Sequence, residues 1–216
     1  MSDRPSTRRE ALCRGGLAVG ALAAGGLLQP ALAAAQSADD EDLRDFLVEA
    51  IGLEQVTVLA YAGAADAAEA GDREQLESFR DQEQAHTNAL RSAIDELGYD
   101  PPEPPDTPAD TGVFDEVEGL DSETAERLKD RLGEIEAAKD AKQFRSLLTE
   151  LETEQLTLYI GQGPALDSVD LSTTSAEIAG CQGQHLVVLA IQGGDSPADA
   201  ATEVAQTAAD AAPTGS

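Results

Sequence analysis

A stripe of core-facing positions between Asp72 and Leu97 constrains the fold more than any other feature of the chain. Its members recur at alternating spacings of three and four residues, which is the period of one face of an α-helix. They are Leu76, Phe79, Glu83, His86, Leu90, Ala93 and Leu97. A carboxylate at such a position requires a metal ion, a proton or a hydrogen-bond donor, because an unpaired buried charge is strongly disfavoured.

A weak internal repeat places the same types of residue, a carboxylate and a histidine, in both halves of the chain. The chain has only two histidines, His86 and His185, and each follows a Leu-Glu pair that has a tyrosine after six intervening residues. The two phrases are Leu53-Glu54 with Tyr61, and Leu151-Glu152 with Tyr159. Two helix pairs, each with an inward carboxylate and an inward imidazole, predict a site for two metal ions in the core of a bundle.

Helical periodicity predicts four long helices and one shorter polar helix, and no strand pattern competes with them. The long helices cover about 38–71, 72–97, 140–166 and 171–192, and the short one covers 120–138. Predicted capping residues are Asp72 for the second long helix, Ser172 or Thr173 for the fourth, and Asp121 or Ser122 for the short helix. The break at Gly71 and Asp72 makes the first two helices antiparallel neighbours.

A proline-rich segment separates the two halves of the repeat. Five of the eight residues from Pro101 to Pro108 are proline, which excludes a helix and predicts an extended crossover. The predicted fold is therefore all-α: a four-helix bundle of two antiparallel helix pairs joined by a long Pro-rich crossover.

Both ends of the chain are predicted to lie outside this bundle, which spans 38–193. Residues 1–35 contain Arg8-Arg9, an uncharged apolar run from Leu17 to Leu28 and small residues near Ala33. This pattern is typical of a cleaved twin-arginine export signal and predicts an extracellular, periplasmic or cell-envelope protein. An uncleaved membrane anchor is the alternative. Residues 195–216, rich in Ala, Asp and Thr, are predicted to be a disordered tail.

Charge and cysteine content exclude several classes of protein. The chain has 42 acidic and 14 basic residues and a net charge of −28, and loss of residues 1–35 would leave 40 and 10, or about −30. This charge excludes nucleic acid and anionic membrane surfaces as natural partners. Cys13 would leave with the signal, so Cys181 alone would remain and no intrachain disulfide could form.

The order of these motifs resembles the ferritin-like proteins, in particular an exported branch that includes desiccation-related proteins. The resemblance covers about 40–193 and depends on the two Leu-Glu-x6-Tyr phrases, on Glu83-x-x-His86 and on the helix that contains His185. It implies that Tyr61 and Tyr159 are core hydroxyls near a metal site. The implied metal ligands are Glu54, Glu83, His86, Glu152 and His185.

One position in the second half of the repeat leaves two alternatives open. Glu154-Gln155-x-Thr157 also matches Glu54-Gln55-x-Thr57, so Glu154 competes with Glu152 as the ligand. The tyrosine spacing and the helical face favour Glu152.

Gln182 departs from the family pattern, which has a glutamate there. A glutamine oxygen can bind a metal but brings no charge, so three carboxylates would leave one of the four positive charges of two divalent ions uncompensated. Weakened affinity, a single occupied position and a lost site all remain open. The thiolate of Cys181 would restore the charge and favour zinc, whereas a small buried apolar cysteine is the simpler interpretation.

The predicted cofactor is iron or manganese, as two ions or one, with zinc less favoured. The predicted function is oxidation of Fe(II) or scavenging of peroxide. The alternatives are a non-catalytic bundle with a degenerate site, acting as a stress-protective or cell-envelope structural protein, and a protein that only sequesters metal. Oligomeric state, monomer or dimer, stays open. The sequence contains no Gly-rich phosphate loop, Cys-x-x-Cys or nucleophile elbow.

Overall fold

The structure is a computed structural model that describes residues 39–162 and 168–213. All regular secondary structure in these residues is helical. The elements are α1 Asp39–Ala67, α2 Ala70–Glu96, a short 3-10 helix Thr111–Phe114, α3 Ser122–Ala137, α4 Ala141–Gln162, α5 Val169–Gly193 and α6 Pro197–Ala211. The predicted export signal at 1–35 lies outside the described residues.

Helix α1 lies at the centre of the fold. It packs along α2, α4 and α3, and between Phe46 and Thr57 every residue except Glu49 is buried. By length and composition alone Glu41–Ala67 could cross a membrane, but 72% of its most apolar stretch is buried inside the protein. The apolar character of α1 is therefore explained by its position in the core.

The remaining helices arrange themselves around α1 in an order set by their links. Only Ala68 and Glu69 separate α1 from α2, and the two helices pack along each other, so they run antiparallel. Helix α5 packs along α4, and α4 packs against α1. Helices α2 and α5 meet along a narrower line of side-chain contacts, here called the α2–α5 seam, which is defined by Gln75, Gln82, Cys181 and Gln192.

Capping residues decide where the helices begin, and two of the predicted caps are wrong. Asp121 caps α3 as predicted, since its carboxylate accepts from the backbone N–H groups of residues 123 and 124. Helix α2 begins earlier than predicted, so Asp72 lies within its first turn. Helix α5 also begins earlier, because the Ser168 hydroxyl accepts the Leu171 N–H at 3.3 Å.

The prediction that the C-terminal tail is disordered is wrong for most of its length. Ser196 caps α6 and Pro197 occupies its first turn, a combination that favours helix initiation. The helix packs on α4 and α5 and buries Ala200. Its Val204 side chain lies against Gly183 of α5, where a built Cβ would be 3.5 Å away. An Ala-rich segment of low complexity therefore folds here because a cap and a docking surface are both present.

Helices α1 and α4 approach each other closely at Gly63 of α1. A Cβ built there would lie 2.6 Å from the ring of Phe144 in α4, whereas a Cβ at Gly133 in α3 would meet nothing within 4 Å. We expect Gly63→Ala to lower the free energy of unfolding by about 1 to 3 kcal/mol through overpacking. Gly133→Ala, the matched control, is expected to raise it by about 0.5 to 1 kcal/mol. Urea unfolding measures both, and equal effects would contradict the close approach.

Candidate metal centre

The structure brings all the predicted site residues into one region of the core. They are Glu54 of α1, Glu83 and His86 of α2, Glu152 of α4, and Gln182 and His185 of α5. The three glutamates and Gln182 are fully buried, His185 is 1% exposed, and only the His86 side chain, at 16%, reaches solvent. The periodic stripes that predicted these positions therefore identify the interior face of each helix.

The carboxylates and imidazoles form two groups that could each hold a metal ion. Glu54, Glu83 and His86 form one group, and Glu83, Glu152 and His185 form the other; the ligand-type atoms within each group lie within 4.8 Å of one another. Glu83 belongs to both groups. Its Oε2 lies 3.8 Å from His86 Nδ1 and its Oε1 lies 3.1 Å from His185 Nδ1. A carboxylate in this position can bridge two ions.

Two tyrosines hold the outer carboxylates in a crosswise pattern. The Tyr159 hydroxyl of α4 donates to Glu54 Oε1 of α1 at 2.6 Å, and the Tyr61 hydroxyl of α1 donates to Glu152 Oε1 of α4. Each half of the sequence repeat thus supplies a carboxylate and the hydroxyl that positions the carboxylate of the other half. The two tyrosines lie where the resemblance implied.

The competition between Glu152 and Glu154 is decided by burial. Glu152 is fully buried and contacts His185 Nδ1 at 3.0 Å. Glu154 instead pairs with Arg131 and is 26% exposed. Glu154 therefore faces away from the centre.

Amide groups donate to the buried carboxylates, and one of these amides was missed by the sequence reasoning. Gln182 Nε2 donates to Glu83 Oε2 at 3.1 Å and to Glu54 Oε1 at 3.4 Å. Gln155 Nε2, which was not predicted as a site residue, donates to Glu83 Oε2 at 3.3 Å. Its place three residues after Glu152 on the same helical face was the available signal. An amide at position 182 can donate where a fourth carboxylate would repel.

His185 uses its two ring nitrogens on opposite sides. Nδ1 faces Glu83 and Glu152, while Nε2 lies 2.8 Å from the side-chain oxygen of Gln82. The Cys181 sulfur lies 3.6 Å from the same Nε2 and 3.2 Å from the Gln82 oxygen. The thiol is therefore on the outer side of the imidazole and belongs to neither of the two candidate metal groups. Gln82, like Gln155, was not predicted as a site residue.

Several buried ligand-type atoms at this centre have no hydrogen-bond partner within the described residues. They include Glu54 Oε2, Glu152 Oε2 and Gln182 Oε1. A buried acceptor without a donor costs free energy, and a cation would satisfy these atoms together. Carboxylate oxygens combined with imidazole nitrogens suit divalent iron, manganese or zinc, so the residues present fit a metal ion.

A family model described as a ferritin-like domain matches residues 66–192. The chain belongs to this ferritin-like family. The matched range includes five of the site residues, whereas Glu54 and Tyr61 precede it and join the centre through the contacts described above. Neither a curated protein nor a solved structure matches the chain.

The three buried carboxyl groups of the ferritin-like centre differ in pKa. Burial, reinforced by repulsion from Glu83, raises the pKa of Glu152 to about 7 and raises the pKa of Glu54 well above the ordinary carboxyl value. Burial acts on Glu83 in the same direction, but hydrogen bonds with His185 and His86 outweigh it and hold the pKa of Glu83 well below the ordinary value.

The pKa values of the two histidines are also raised, although burial acts on them in the opposite direction. Burial lowers their pKa, but attraction to the carboxylates, led by Glu54 for His86 and by Glu152 for His185, outweighs it. The pKa of each imidazole therefore lies well above its ordinary value. Of the three buried carboxyl groups, Glu83 is therefore the one whose pKa is held lowest.

These shifts predict that the metal-free protein loses stability as the pH rises from about 5 to 8. The unfolded chain releases the Glu152 proton from about pH 4.5 and the histidine protons from about pH 6.5, whereas the folded protein still holds them. Folding therefore becomes less favourable by about 1.4 kcal/mol for each unit of pKa elevation. Metal displaces those protons, so its stabilising effect should grow with pH over the same window. Melting temperatures in chelator and in excess Mn(II) measure this. A metal-free melting temperature that rises with pH would contradict it.

Proposed function

We propose that this chain is an exported ferritin-like protein with a partial di-metal carboxylate centre of iron or manganese. The observation that carries the proposal is that two groups able to hold a metal ion share the buried Glu83. The unpartnered buried oxygens around it support a cation in preference to a purely hydrogen-bonded core. The twin-arginine phrase at Arg8-Arg9 supports export, and assembly of the centre in a folded chain is compatible with that route.

The proposed architecture is a four-helix bundle of two antiparallel pairs, α1 with α2 and α4 with α5. The packing of α1 along α2, of α5 along α4 and of α4 against α1 supports it. The Pro-rich segment between α2 and α3, which contains no α-helix, would be the crossover that joins the pairs. This arrangement gives each half of the repeat the same role.

The proposed ligand roles follow from the shared carboxylate. Glu83 would bridge, Glu54 and His86 would complete one position, and Glu152 and His185 would complete the other. Tyr61 and Tyr159 orient the outer carboxylates, and Gln155 orients the bridging one. When bound, iron or manganese supplies one-electron redox chemistry, which the side chains of this site do not themselves provide.

The reaction that suits this centre is the oxidation of Fe(II) by peroxide. Two Fe(II) ions lose one electron each; hydrogen peroxide accepts both electrons and two protons, its O–O bond breaks and two waters leave. Dioxygen is the alternative oxidant. The protein would bind and orient Fe(II) as substrate, and the Phe79 ring packs on His185 with the ring centroids 4.0 Å apart.

Fe(II) oxidation by the mature chain tests this function directly. We expect peroxide-dependent oxidation above the rate of free Fe(II), and we expect its loss in Glu83→Gln, because both metal groups lose their shared carboxylate. Glu77→Gln removes the same charge from the exposed face of the same helix and should leave the rate unchanged. Wild-type protein that oxidises Fe(II) no faster than buffer would refute the enzymatic function.

A non-catalytic bundle, serving in stress protection or in the cell envelope, is the second candidate. Gln182 favours it, because its amide donates to both Glu54 and Glu83 and so stabilises a metal-free core. This candidate predicts the same melting temperature with and without chelator. The di-metal proposal predicts a melting temperature that falls when the metal is removed.

Gln182→Glu separates the two candidates. Without metal, a fourth buried carboxylate loses the amide donor and adds repulsion, so we expect a stability loss of about 1 to 3 kcal/mol in chelator. With Mn(II) or Fe(II), the added charge should raise the affinity at least about tenfold, since it compensates the remaining positive charge. Unfolding in chelator and metal titration measure the two effects. A variant that is destabilised without any gain in affinity would favour the non-catalytic bundle.

A further inference from the structure

Gln82 and Cys181 occupy equivalent positions in the internal repeat. Gln82 directly precedes Glu83, and Cys181 directly precedes Gln182. The two side chains meet across the α2–α5 seam, where the Cys181 sulfur lies 3.2 Å from the Gln82 oxygen. Gln82 also lies beside His185, the histidine of the opposite helix.

Gln82 holds His185 in the orientation that a metal ligand needs. Its carbonyl oxygen, 2.8 Å from Nε2, can only accept, so it keeps the ring proton on Nε2. In the neutral imidazole that a metal ion requires, the lone pair of Nδ1 is then directed towards Glu83 and Glu152. An outer acceptor of this kind fixes both the tautomer and the ring orientation of a metal-binding histidine.

His86 has a weaker counterpart. At the position of α5 equivalent to Gln82 the chain carries Cys181, and sulfur is a poor hydrogen-bond acceptor. His86 Nδ1 lies 3.5 Å from Glu54 and 3.8 Å from Glu83, whereas the corresponding distances for His185 are 3.0 and 3.1 Å. The His86 side chain is also 16% exposed, against 1% for His185.

We propose that Gln82 and Cys181 are positioning residues that make the two metal positions unequal. The position at Glu83, Glu152 and His185 binds a divalent ion tightly. The position at Glu54, Glu83 and His86 binds it weakly and exchanges it with solvent, so this is where substrate Fe(II) binds. The inference deepens the proposed di-metal function and depends on it.

The unequal affinity of the two positions is tested by titrating the mature chain with Co(II). Binding is monitored by calorimetry and by the visible spectrum of the metal. Wild type should bind in two resolved steps. Gln82→Leu, which removes the acceptor at similar size, should weaken the tight step about ten- to a hundredfold and leave the weak step unchanged. Gln82→Glu keeps an acceptor oxygen and should restore the ratio of the two dissociation constants.

Cys181→Gln provides the reciprocal test, because it would give His86 the acceptor that His185 already has. The weak step should tighten about tenfold or more, so that the two steps approach each other. Cys181→Ala, the size-reducing control, should leave both steps near their wild-type values. Melting curves in chelator report whether each variant folds, and the Gln82 pair decides the question if Cys181→Gln does not fold.

The outcomes separate this inference from the function on which it depends. Two equal Co(II) steps in wild type, or a Gln82→Leu variant that weakens both steps alike, would overturn the inference and leave a di-metal centre intact. A sulfur-to-cobalt charge-transfer band that disappears in Cys181→Ala would also overturn it, because Cys181 would then be a ligand. Absence of Co(II) binding, with no Mn(II) or Fe(II) binding either, would overturn both.

Discussion

The buried carboxylate of Glu83 is the interaction on which the rest of the centre depends. It is fully buried, lies between two imidazoles and accepts hydrogen bonds from two amides. A lone carboxylate could not be buried there, because the desolvation cost would exceed what one neutral donor returns. Four helices must therefore approach closely enough to surround this single side chain, so the packing of the core and the chemistry of the site are one constraint.

The internal repeat explains how a single chain builds such a surrounding. Each half contributes a tyrosine that serves the carboxylate of the other half, so neither helix pair can complete its own half of the centre. This crosswise arrangement joins α1 to α4 through buried polar contacts as well as through apolar packing. Buried hydrogen bonds of this kind favour one packing over its alternatives, because a shifted helix would leave a carboxylate without its donor.

Sequence periodicity predicted the parts of the fold that one helix determines alone. The stripe on α2 identified Glu83, and the tyrosine spacing on α4 selected Glu152 over Glu154. The roles of Gln82 and Gln155 were not predicted, because they depend on which side chains the facing helices bring near. Helix α6 was not predicted, because the prediction of a disordered tail followed composition and did not consider the cap at Ser196. The missed features therefore share one cause: each side-chain role, and α6 itself, depends on contacts with other elements.

Gln182 has opposite effects on two properties: it stabilises the metal-free core and lowers the affinity for a second metal ion. Its amide supplies the donor that a metal-free core lacks, so it lowers the cost of keeping three carboxylates close together without a cation. The same neutrality removes one of the charges that would hold a second ion. A glutamate at this position would make the centre dependent on metal for its stability, whereas the glutamine would let the fold persist without it. Under the proposed function, exchange of ions at one position would then be compatible with a stable bundle, which is what turnover of a metal substrate would require.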